Sequence, residues 1–444
     1  MTAVMAPPGL WCARASKADL FIGGAHVVDP LAGLDGELDV LVLKGKVAAV
    51  GAGLTAPEGV RRIDAAGKLL MPGFVDPHVH LRTPGREDEE DIASGTAAAA
   101  GGGYVAVFAM ANTDPVVDTA SVLQALVQTA QAEAVVPVGF HAAMSRGLRG
   151  EQLTEMWELA QAGAVAFSDD GVPPANAYLL RRALQYAKLT GRHIAVHAED
   201  AALSGKGVMH EGAVSARLGL AGIPSISESI EVALALEVAG YEGGPLHLCH
   251  LSSAAALEHL ARAKEAGLPV TAEVCPHHLV FTDEAVLSLD SNLKTNPPLR
   301  QESDRAALVA ALASGLIDCV ATDHAPHAIE EKEVPFEEAP FGCIGLETAF
   351  AVLYAALVKS GGLRLPVLVE RMSQAPARVA GVRVPTVKDG EEANLCLADP
   401  EAGWTVARGT LRSRSQNSPW LGADLRARVL LTVAAGHVAF EVRA

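Results

Sequence analysis

The amino-acid sequence predicts an α/β protein: a (β/α)8 TIM-like barrel with a small β-sandwich domain formed from both chain termini. Between residues 73 and 321, eight short apolar segments alternate with longer Ala-, Leu- and Glu-rich segments of helical spacing. That alternation is typical of a closed parallel barrel. On either side of this region the apolar segments are short and separated by Gly- and Asp-containing turns, which is typical of antiparallel strands.

The predicted barrel strands are almost continuously apolar because helices cover both faces of such a sheet. These strands are residues 73–77, 104–109, 135–140, 164–167, 193–196, 245–249, 269–274 and 317–321. The predicted helices between them include residues 121–134, 151–162, 226–239, 252–266 and 303–313. An open doubly wound sheet is the alternative, but it would more usually contain fewer units.

The two chain ends are predicted to fold together beside the barrel. Residues 1–70 would form the N-terminal part of the β domain, 71–376 the barrel and 377–444 the C-terminal part. The β-like segments of the C-terminal part are 393–397, 404–407, 429–433 and 437–441. The first 17 residues carry Pro7-Pro8 where a signal peptide would need an apolar core, so we expect a loose tail.

Composition excludes several classes of protein. Half of the 444 residues are hydrophobic and 20% are charged, which is enough apolar material for a large core. The formal net charge of −17 argues against a general nucleic-acid binder. Six scattered cysteines without a C-x-x-C pair indicate buried thiols in a reducing compartment, and no segment is apolar enough for a membrane span. A cytoplasmic protein is therefore expected.

Histidines and aspartates follow several of the predicted barrel strands. His78 and His80 are two residues apart at the end of the first strand, so a strand conformation points both rings to one side. The other strand-end residues are Asp169-Asp170, His197, His250 and Asp323. Each has a plain alternative, a packed histidine or a helix-capping aspartate. Together they predict a metal site at the C-terminal face of the barrel, with Zn²⁺ the best match to His and carboxylate ligands.

Several motifs make the chain resemble type I dihydroorotases of the amidohydrolase superfamily over nearly its whole length. The superfamily motif is Pro72-Gly73-Phe74-Val75-Asp76-Pro77-His78-Val79-His80. The narrower motifs are His80-Leu81-Arg82, Met110-Ala111-Asn112-Thr113, Phe167-Ser168-Asp169-Asp170-Gly171, His197-Ala198-Glu199-Asp200, Asn296-Pro297-Pro298-Leu299-Arg300, Thr322-Asp323-His324-Ala325-Pro326-His327 and Ala339-Pro340-Phe341-Gly342.

The resemblance implies one or two zinc ions per subunit. His78, His80 and Asp323 would hold one zinc, and His197 and His250 a second. Asp170 would bridge the two, and it is chosen over Asp169 by the family's spacing to His197. Many relatives use a carboxylated lysine as the bridge, but this chain has no lysine between Lys68 and Lys188. That absence favours an aspartate bridge and lowers dihydropyrimidinases and allantoinases as alternatives.

The resemblance also implies the reaction, the reversible cyclisation of N-carbamoyl-L-aspartate to (S)-dihydroorotate in de novo pyrimidine (UMP) biosynthesis. Zinc lowers the pKa of its bound water towards about 7 and polarises the amide carbonyl. Asp323, the catalytic residue, would move the proton from the water to the ring nitrogen. Arg82, Asn112 and His327 would bind the substrate carboxylate, Arg82 through its planar fork. The other substrate-binding positions implied are His80, Asn296, Phe341 and Gly342.

Two alternatives remain at the level of the sequence. One is a non-catalytic dihydroorotase-like scaffold of aspartate carbamoyltransferase, although every ligand position here is filled. The other is a cyclic amidase acting on hydantoins or dihydropyrimidines. The family implies a homodimer or an assembly with aspartate carbamoyltransferase. Residues 328–340, rich in Glu, are interpreted as a lid that closes towards Phe341-Gly342, with a solvated connection as the alternative.

Overall fold

Strands and helices alternate along the chain as the sequence predicts. The computed structural model describes residues 7–172 and 176–442. The strands are β1 Leu20–Asp29, β2 Leu34–Leu43, β3 Lys46–Gly51, β4 Arg61–Asp64, β5 Leu69–Pro72, β6 Phe74–Val79, β7 Tyr104–Ala109, β8 Val138–Phe140, β9 Phe167–Ser168, β10 Ile194–Val196, β11 Met209–His210, β12 Gly222–Ile223, β13 Leu246–Leu248, β14 Val270–Val274, β15 Cys319–Val320, β16 Leu395–Asp399, β17 Trp404–Thr405, β18 Asp424–Leu425, β19 Arg428–Ala434 and β20 His437–Glu441.

The helices lie mainly between the strands of the central region. They are α1 Ile92–Gly101, α2 Ala120–Glu133, α3 Met156–Gln161, α4 Ala177–Thr190, α5 Ala201–Ser204, α6 Ala213–Leu218, α7 Ile226–Glu242, α8 Ala254–Glu265, α9 Pro276–Val280, α10 Glu302–Ser314, α11 Ile329–Lys332, α12 Ala349–Leu353, α13 Leu365–Val369 and α14 Ala375–Val379. Short 3-10 turns occupy Arg146–Leu148, Asp283–Ser288 and Ser291–Leu293, and π-helical turns occupy Tyr354–Lys359 and Glu370–Gln374. Within the described residues, no helix is both long and apolar enough to cross a membrane.

All eight predicted central strands are present, and they pair in parallel in chain order. One sheet contains β6, β7 and β8, and a second contains β9, β10, β13, β14 and β15. Isolated parallel bridges connect the two sheets on both sides, Ala142 with Phe167 and Val79 with His324. Each of the eight strands therefore has a bonded neighbour on either side. Their side chains belong to one large apolar core that also includes the inner faces of the helices.

The two ends of the chain meet in one eight-stranded sheet. Its order is β20-β19-β16-β5-β1-β2-β3, with β4 paired to β1. The central antiparallel pairing of β16 with β5 joins the C-terminal part of the chain to the N-terminal part. Alternating apolar side chains of these strands form a second, smaller core. Burial of that apolar face stabilises the association of two segments that are distant in the sequence.

Two expectations about local structure are wrong. Residues 151–155 are not helical, because their backbone turns back and pairs with the preceding loop through Arg146–Gln152 and Met144–Thr154 hydrogen bonds. Residues 9–13 are not a loose tail. Trp11 forms an antiparallel bridge with Val138 and its ring stacks on Phe140, with centroids 6.0 Å apart. This segment covers the beginning of β8 and shields apolar surface there.

Candidate metal centre and substrate site

Six predicted ligands lie at the C-terminal ends of five of the eight central strands. His78 lies within β6 and His80 directly after it, while Asp170, His197, His250 and Asp323 follow β9, β10, β13 and β15. Because parallel strands end on the same side of a sheet, their terminal side chains converge. All six residues are buried. The convergence that the sequence predicted is therefore observed.

The first group of ligands consists of His78, His80 and Asp323. Nε2 of His80 lies 3.1 Å from Oδ1 of Asp323, and Nε2 of His78 lies 3.6 Å from the same oxygen. One ligand atom of each residue lies within 4.8 Å of the others. Two imidazoles and a carboxylate at this spacing are suited to one divalent metal ion.

The second group consists of Asp170, His197 and His250, which also satisfy the 4.8 Å spacing. Asp170 lies between the two groups. Its Oδ1 is 3.5 Å from Nε2 of His78 and 3.8 Å from Nε2 of His250, while its Oδ2 is 3.5 Å from Nε2 of His80. A carboxylate in this position can reach two cations at once.

The neighbouring Asp169 points away from the ligand groups. Its Oδ1 accepts a hydrogen bond from the backbone N–H of Ser145 at 2.8 Å, and its Oδ2 accepts one from the Ser145 hydroxyl. Burial raises the pKa of Asp169, and the Ser145 hydrogen bonds partly counter that rise. Of the two adjacent aspartates, which local periodicity does not distinguish, Asp170 faces the histidines and Asp169 faces Ser145.

The donor atoms of the site fit a cation. Buried Nε2 of His78 and Oδ1 of Asp170 have no hydrogen-bond partner. Burial opposes a charged His78, yet the carboxylates of Asp170 and Glu273 raise its pKa well above the usual value. Burial also opposes a charged Asp170, but His78 and the other histidines hold the pKa of Asp170 well below its usual range. Unpartnered buried polar atoms are costly, and a cation among these atoms would satisfy them.

Glu273 is hydrogen-bonded to His78 of the first group, and the sequence analysis did not identify it. Its Oε1 accepts a hydrogen bond from Nδ1 of His78 at 2.7 Å, and its Oε2 one from Nε2 of His247 at 3.0 Å. A carboxylate on Nδ1 fixes the tautomer of a ligand histidine and leaves Nε2 for the metal. The available signal was a single acidic residue within the otherwise uncharged strand β14.

Three residues of the site have positive φ angles although none is glycine. They are Arg82 at 56°, His250 at 30° and Asp323 at 49°. This left-handed conformation costs free energy in L-residues and is concentrated at functional sites. In each case the residue lies just beyond a strand, where the turn re-aims a polar side chain.

Arg82, His327, Phe341 and Gly342 lie together beside the first group. Nη2 of Arg82 is 3.4 Å from Nε2 of His327, which in turn is 2.8 Å from the carbonyl oxygen of Phe341. Nε of Arg82 donates to the carbonyl of Pro326 at 3.0 Å, and lies 3.0 Å from a Glu89 oxygen. The guanidinium is therefore held in a fixed orientation. This corner presents a cation and a histidine at the edge of the ligand groups.

The two predicted asparagines flank opposite sides of the site. Oδ1 of Asn112 lies 2.9 Å from Nδ1 of His80, and its amide nitrogen is 3.5 Å from Oδ2 of Asp170. Asn296 donates to Glu199 at 2.8 Å, and Glu199 lies 2.9 Å from Nε2 of His197. Burial alone would raise the pKa of Glu199, but His197 lowers it to about 2. All predicted site residues are thus brought into one continuous region.

Solved structures of hydantoinases and dihydropyrimidinases share this fold. The L-hydantoinase (dihydropyrimidinase) of Arthrobacter aurescens superposes with a TM-score of 0.85 at 28% sequence identity, covering 96% of both chains. The dihydropyrimidinase of Brevibacillus agri gives a TM-score of 0.82 at 25% identity, covering 95% of both chains. With the His and Asp clusters at the strand ends, this similarity defines the class of protein as the amidohydrolases.

Sequence relatives define the family within that class. A model of the dihydro-orotase-like family matches residues 67–256. The dihydroorotase of Trichlorobacter lovleyi is 44% identical over 428 residues, covering 96% of this chain and 100% of the relative. That of Anaeromyxobacter dehalogenans is 46% identical over 427 residues, covering 95% and 98%. The chain belongs to the dihydroorotase family.

Proposed function

We propose that this protein is a zinc-dependent dihydroorotase, which interconverts N-carbamoyl-L-aspartate and (S)-dihydroorotate in the de novo synthesis of UMP. Full-length similarity to dihydroorotases supports a cyclic amide hydrolase acting on a small molecule. The observation that carries the proposal is the position of Asp170 between two histidine groups, beside a corner containing Arg82 and His327. A carboxylate between two histidine groups suits amide hydrolysis, and the Arg82–His327 corner suits a substrate ring that carries a negative charge.

The metal proposed is Zn²⁺, one or two ions per subunit. His78, His80 and Asp323 would hold the first, His197 and His250 the second, and Asp170 would lie between them. Ligands of this set lack thiolates and suit zinc geometry. When bound, the metal polarises the amide carbonyl and lowers the pKa of water towards about 7.

Asp323 is the proposed catalytic residue. Burial would raise the pKa of its carboxyl, but the hydrogen bond with His80 and the nearby His78 and His250 hold that pKa far below its usual value. Asp323 is therefore ionised at neutral pH and able to accept a proton from the attacking water. It then returns this proton to the ring nitrogen as the amide C–N bond breaks. Cyclisation uses the same transfers in reverse.

Substrate orientation is assigned to the groups that surround the ligands. The carboxylate of dihydroorotate would be bound by Arg82, Asn112 and His327, because a guanidinium and neutral N–H donors match a carboxylate. His80 contributes from the metal side and Asn296 from the side of His197. The Phe341–Gly342 backbone would close the pocket over the ring, as Gly342 lies directly against His327.

The architecture proposed for this function is a closed barrel of residues 71–376 with a β-sandwich of residues 1–70 and 377–444. The two bridges that connect β8 to β9 and β15 to β6 support closure, and the shared eight-stranded sheet supports the joining of both termini. A homodimer, or an assembly with aspartate carbamoyltransferase, is proposed from the family resemblance. The six free cysteines fit the proposed cytoplasmic location.

The decisive experiment measures zinc content and dihydroorotate hydrolysis together, for wild type, Asp323→Ala and the exposed control Asp389→Ala. Zinc-dependent turnover in wild type and the control, lost in Asp323→Ala, is the expected result. A wild-type protein that binds no zinc and remains inactive after zinc reconstitution would contradict the proposal and favour the scaffold.

Hydantoinase activity is the second candidate, favoured by the fold similarity to the Arthrobacter aurescens enzyme. The Arg82–His327 corner argues against it, because an uncharged hydantoin has no carboxylate for these groups. We expect kcat/KM for dihydroorotate to exceed that for hydantoin. Equal values for the two substrates would promote the second candidate.

A further inference from the structure

Two buried lysines hold the loop that connects His327 to Gly342: Lys332 lies within this loop and Lys294 packs against it. Lys294 is 3% exposed and Lys332 is 7% exposed. Nζ of Lys332 donates to the carbonyl oxygens of Pro340 at 2.8 Å and Gly342 at 3.0 Å. Burial of an ammonium group is costly unless it is well hydrogen-bonded. Lys332 therefore ties the beginning of this loop to its end.

Lys294 holds the same loop from the opposite side. Its Nζ donates to the carbonyl oxygens of Phe336 and Glu337, both at 2.9 Å, and lies 4.8 Å from the centre of the Phe341 ring. Its backbone carbonyl accepts a hydrogen bond from the N–H of Gly342 at 2.8 Å. The loop is thus shaped by two ammonium groups that bind backbone oxygens.

The two carbonyls bound by Lys332 flank Phe341, whose own carbonyl group approaches a residue of the proposed substrate site. Its carbonyl oxygen lies 2.8 Å from Nε2 of His327. Gly342 has a φ of +122°, and a Cβ there would lie 3.2 Å from Nε2 of His327 and 2.7 Å from Cβ of Ala325. The backbone of Gly342 therefore lies so close to His327 and Ala325 that a side chain at this position would clash.

We propose that Lys332 is a positioning residue for the substrate carboxylate: by holding the carbonyls of Pro340 and Gly342, it sets the Phe341 carbonyl against His327 and so aims His327 beside Arg82. This inference rests on the proposed function and adds a residue with no direct substrate contact. Burial lowers the pKa of Lys332 to about 8, so the ammonium form predominates at neutral pH.

The test replaces Lys332 with Met, which keeps the length of the side chain and removes its charge. The matched control is Lys359→Met, at a surface lysine whose ammonium lies 2.8 Å from Glu401. For each zinc-loaded protein, kcat and KM for dihydroorotate are measured, together with amide hydrogen exchange of peptides from residues 328–342. A third variant, Ser291→Ala, removes the hydroxyl that donates to the carbonyl of Lys332 at 2.5 Å.

We expect Lys332→Met to raise KM at least about tenfold, comparable to the loss of one charge-assisted hydrogen bond. We expect kcat to stay within about threefold of wild type, because the reacting groups are untouched. Exchange of the loop should accelerate in Lys332→Met and not in the control Lys359→Met, and Ser291→Ala should shift KM and exchange in the same direction as Lys332→Met to a smaller extent. If Lys332→Met does not fold, Ser291→Ala decides by the same readouts.

Three results would overturn the inference. The first is an unchanged KM with faster loop exchange in Lys332→Met, which would mean a purely structural role. The second is a loss of kcat at constant KM. The third is no change in either KM or loop exchange. Failure of the proposed function is recognised separately, because wild type would then lack turnover while the exchange comparison would still report whether Lys332 holds the loop.

Discussion

Oε1 of Glu273 accepts a hydrogen bond from Nδ1 of His78 at 2.7 Å, and both side chains are fully buried. Burial alone would raise the pKa of Glu273, but His78 and His247 hold that pKa far below its usual range. A carboxylate that stays ionised here keeps Nδ1 of His78 protonated. Nε2 of His78 then points its lone pair towards the ligand groups, which is the tautomer that a metal requires.

The first prediction follows from this pair. Glu273→Gln should weaken zinc binding about 10- to 100-fold, because a neutral amide orients the histidine less strongly. Competition with a chelator measures the affinity directly. Glu231→Gln is the control, since Glu231 is also buried but its Oε1 has no hydrogen-bond partner. Equal zinc affinity in wild type and Glu273→Gln would contradict the assigned role.

The second prediction separates the two adjacent aspartates. Asp170→Asn should lower the zinc content and abolish most turnover, because Asp170 lies between both ligand groups. Asp169→Asn should keep zinc and turnover while losing about 1–3 kcal/mol of stability, since the Ser145 hydrogen bonds are impaired. Metal analysis, turnover and denaturant unfolding of both variants provide the comparison. The reverse pattern would move the proposed bridge to Asp169.

The third prediction concerns pH and Glu347. This carboxylate accepts hydrogen bonds from the backbone N–H groups of Arg412 and Ser413, and burial raises its pKa from 4.5 to about 7. The folded protein therefore binds the proton more tightly than the unfolded chain. The contribution of protonated Glu347 to the free energy of unfolding is fully present below about pH 4.5 and is lost as pH rises through about 7.

Glu347→Gln should remove that contribution, which is at most about 3 kcal/mol. The measurement is the free energy of unfolding at pH 5 and pH 8 for wild type and variant. Taking the difference between the two proteins cancels the pH dependence of metal binding that they share. An identical decrease in both proteins would show that Glu347 does not titrate between these pH values.

The fourth prediction concerns the N-terminal segment. Trp11→Ala should cost about 2 kcal/mol of stability, because it removes an aromatic contact with Phe140 and leaves apolar surface uncovered. The backbone of Trp11 pairs with Val138 at the beginning of β8, and Trp11 is not among the residues of the candidate site. KM and kcat should not change. Thermal unfolding tests the first expectation and steady-state kinetics the second.

Sequence reasoning predicted the strand-end positions of the candidate site residues better than it predicted the loops. His78 and His80 were predictable because two residues in a strand have a fixed relative direction, and the strand-end positions of Asp170, His197, His250 and Asp323 follow from the parallel arrangement. The helix predicted over 151–162 begins only at Met156, because in residues 151–155 helical spacing is outweighed by backbone pairing with the loop before them. A periodic pattern records local preference and carries no information about such a partner.

The sequence by itself determined the order of strands and helices, the residue types at the strand ends and the absence of a bridging lysine. These properties depend on hydrophobic periodicity and on chemistry that is written into each residue. Only the tertiary structure decided that Asp170 and not Asp169 faces the histidines, that Glu273 supports His78, and that Lys332 holds the loop beside His327. Some of these contacts join residues that are distant in the sequence, and the different directions of Asp169 and Asp170 distinguish two adjacent residues. Both depend on tertiary packing, which a local sequence pattern does not encode.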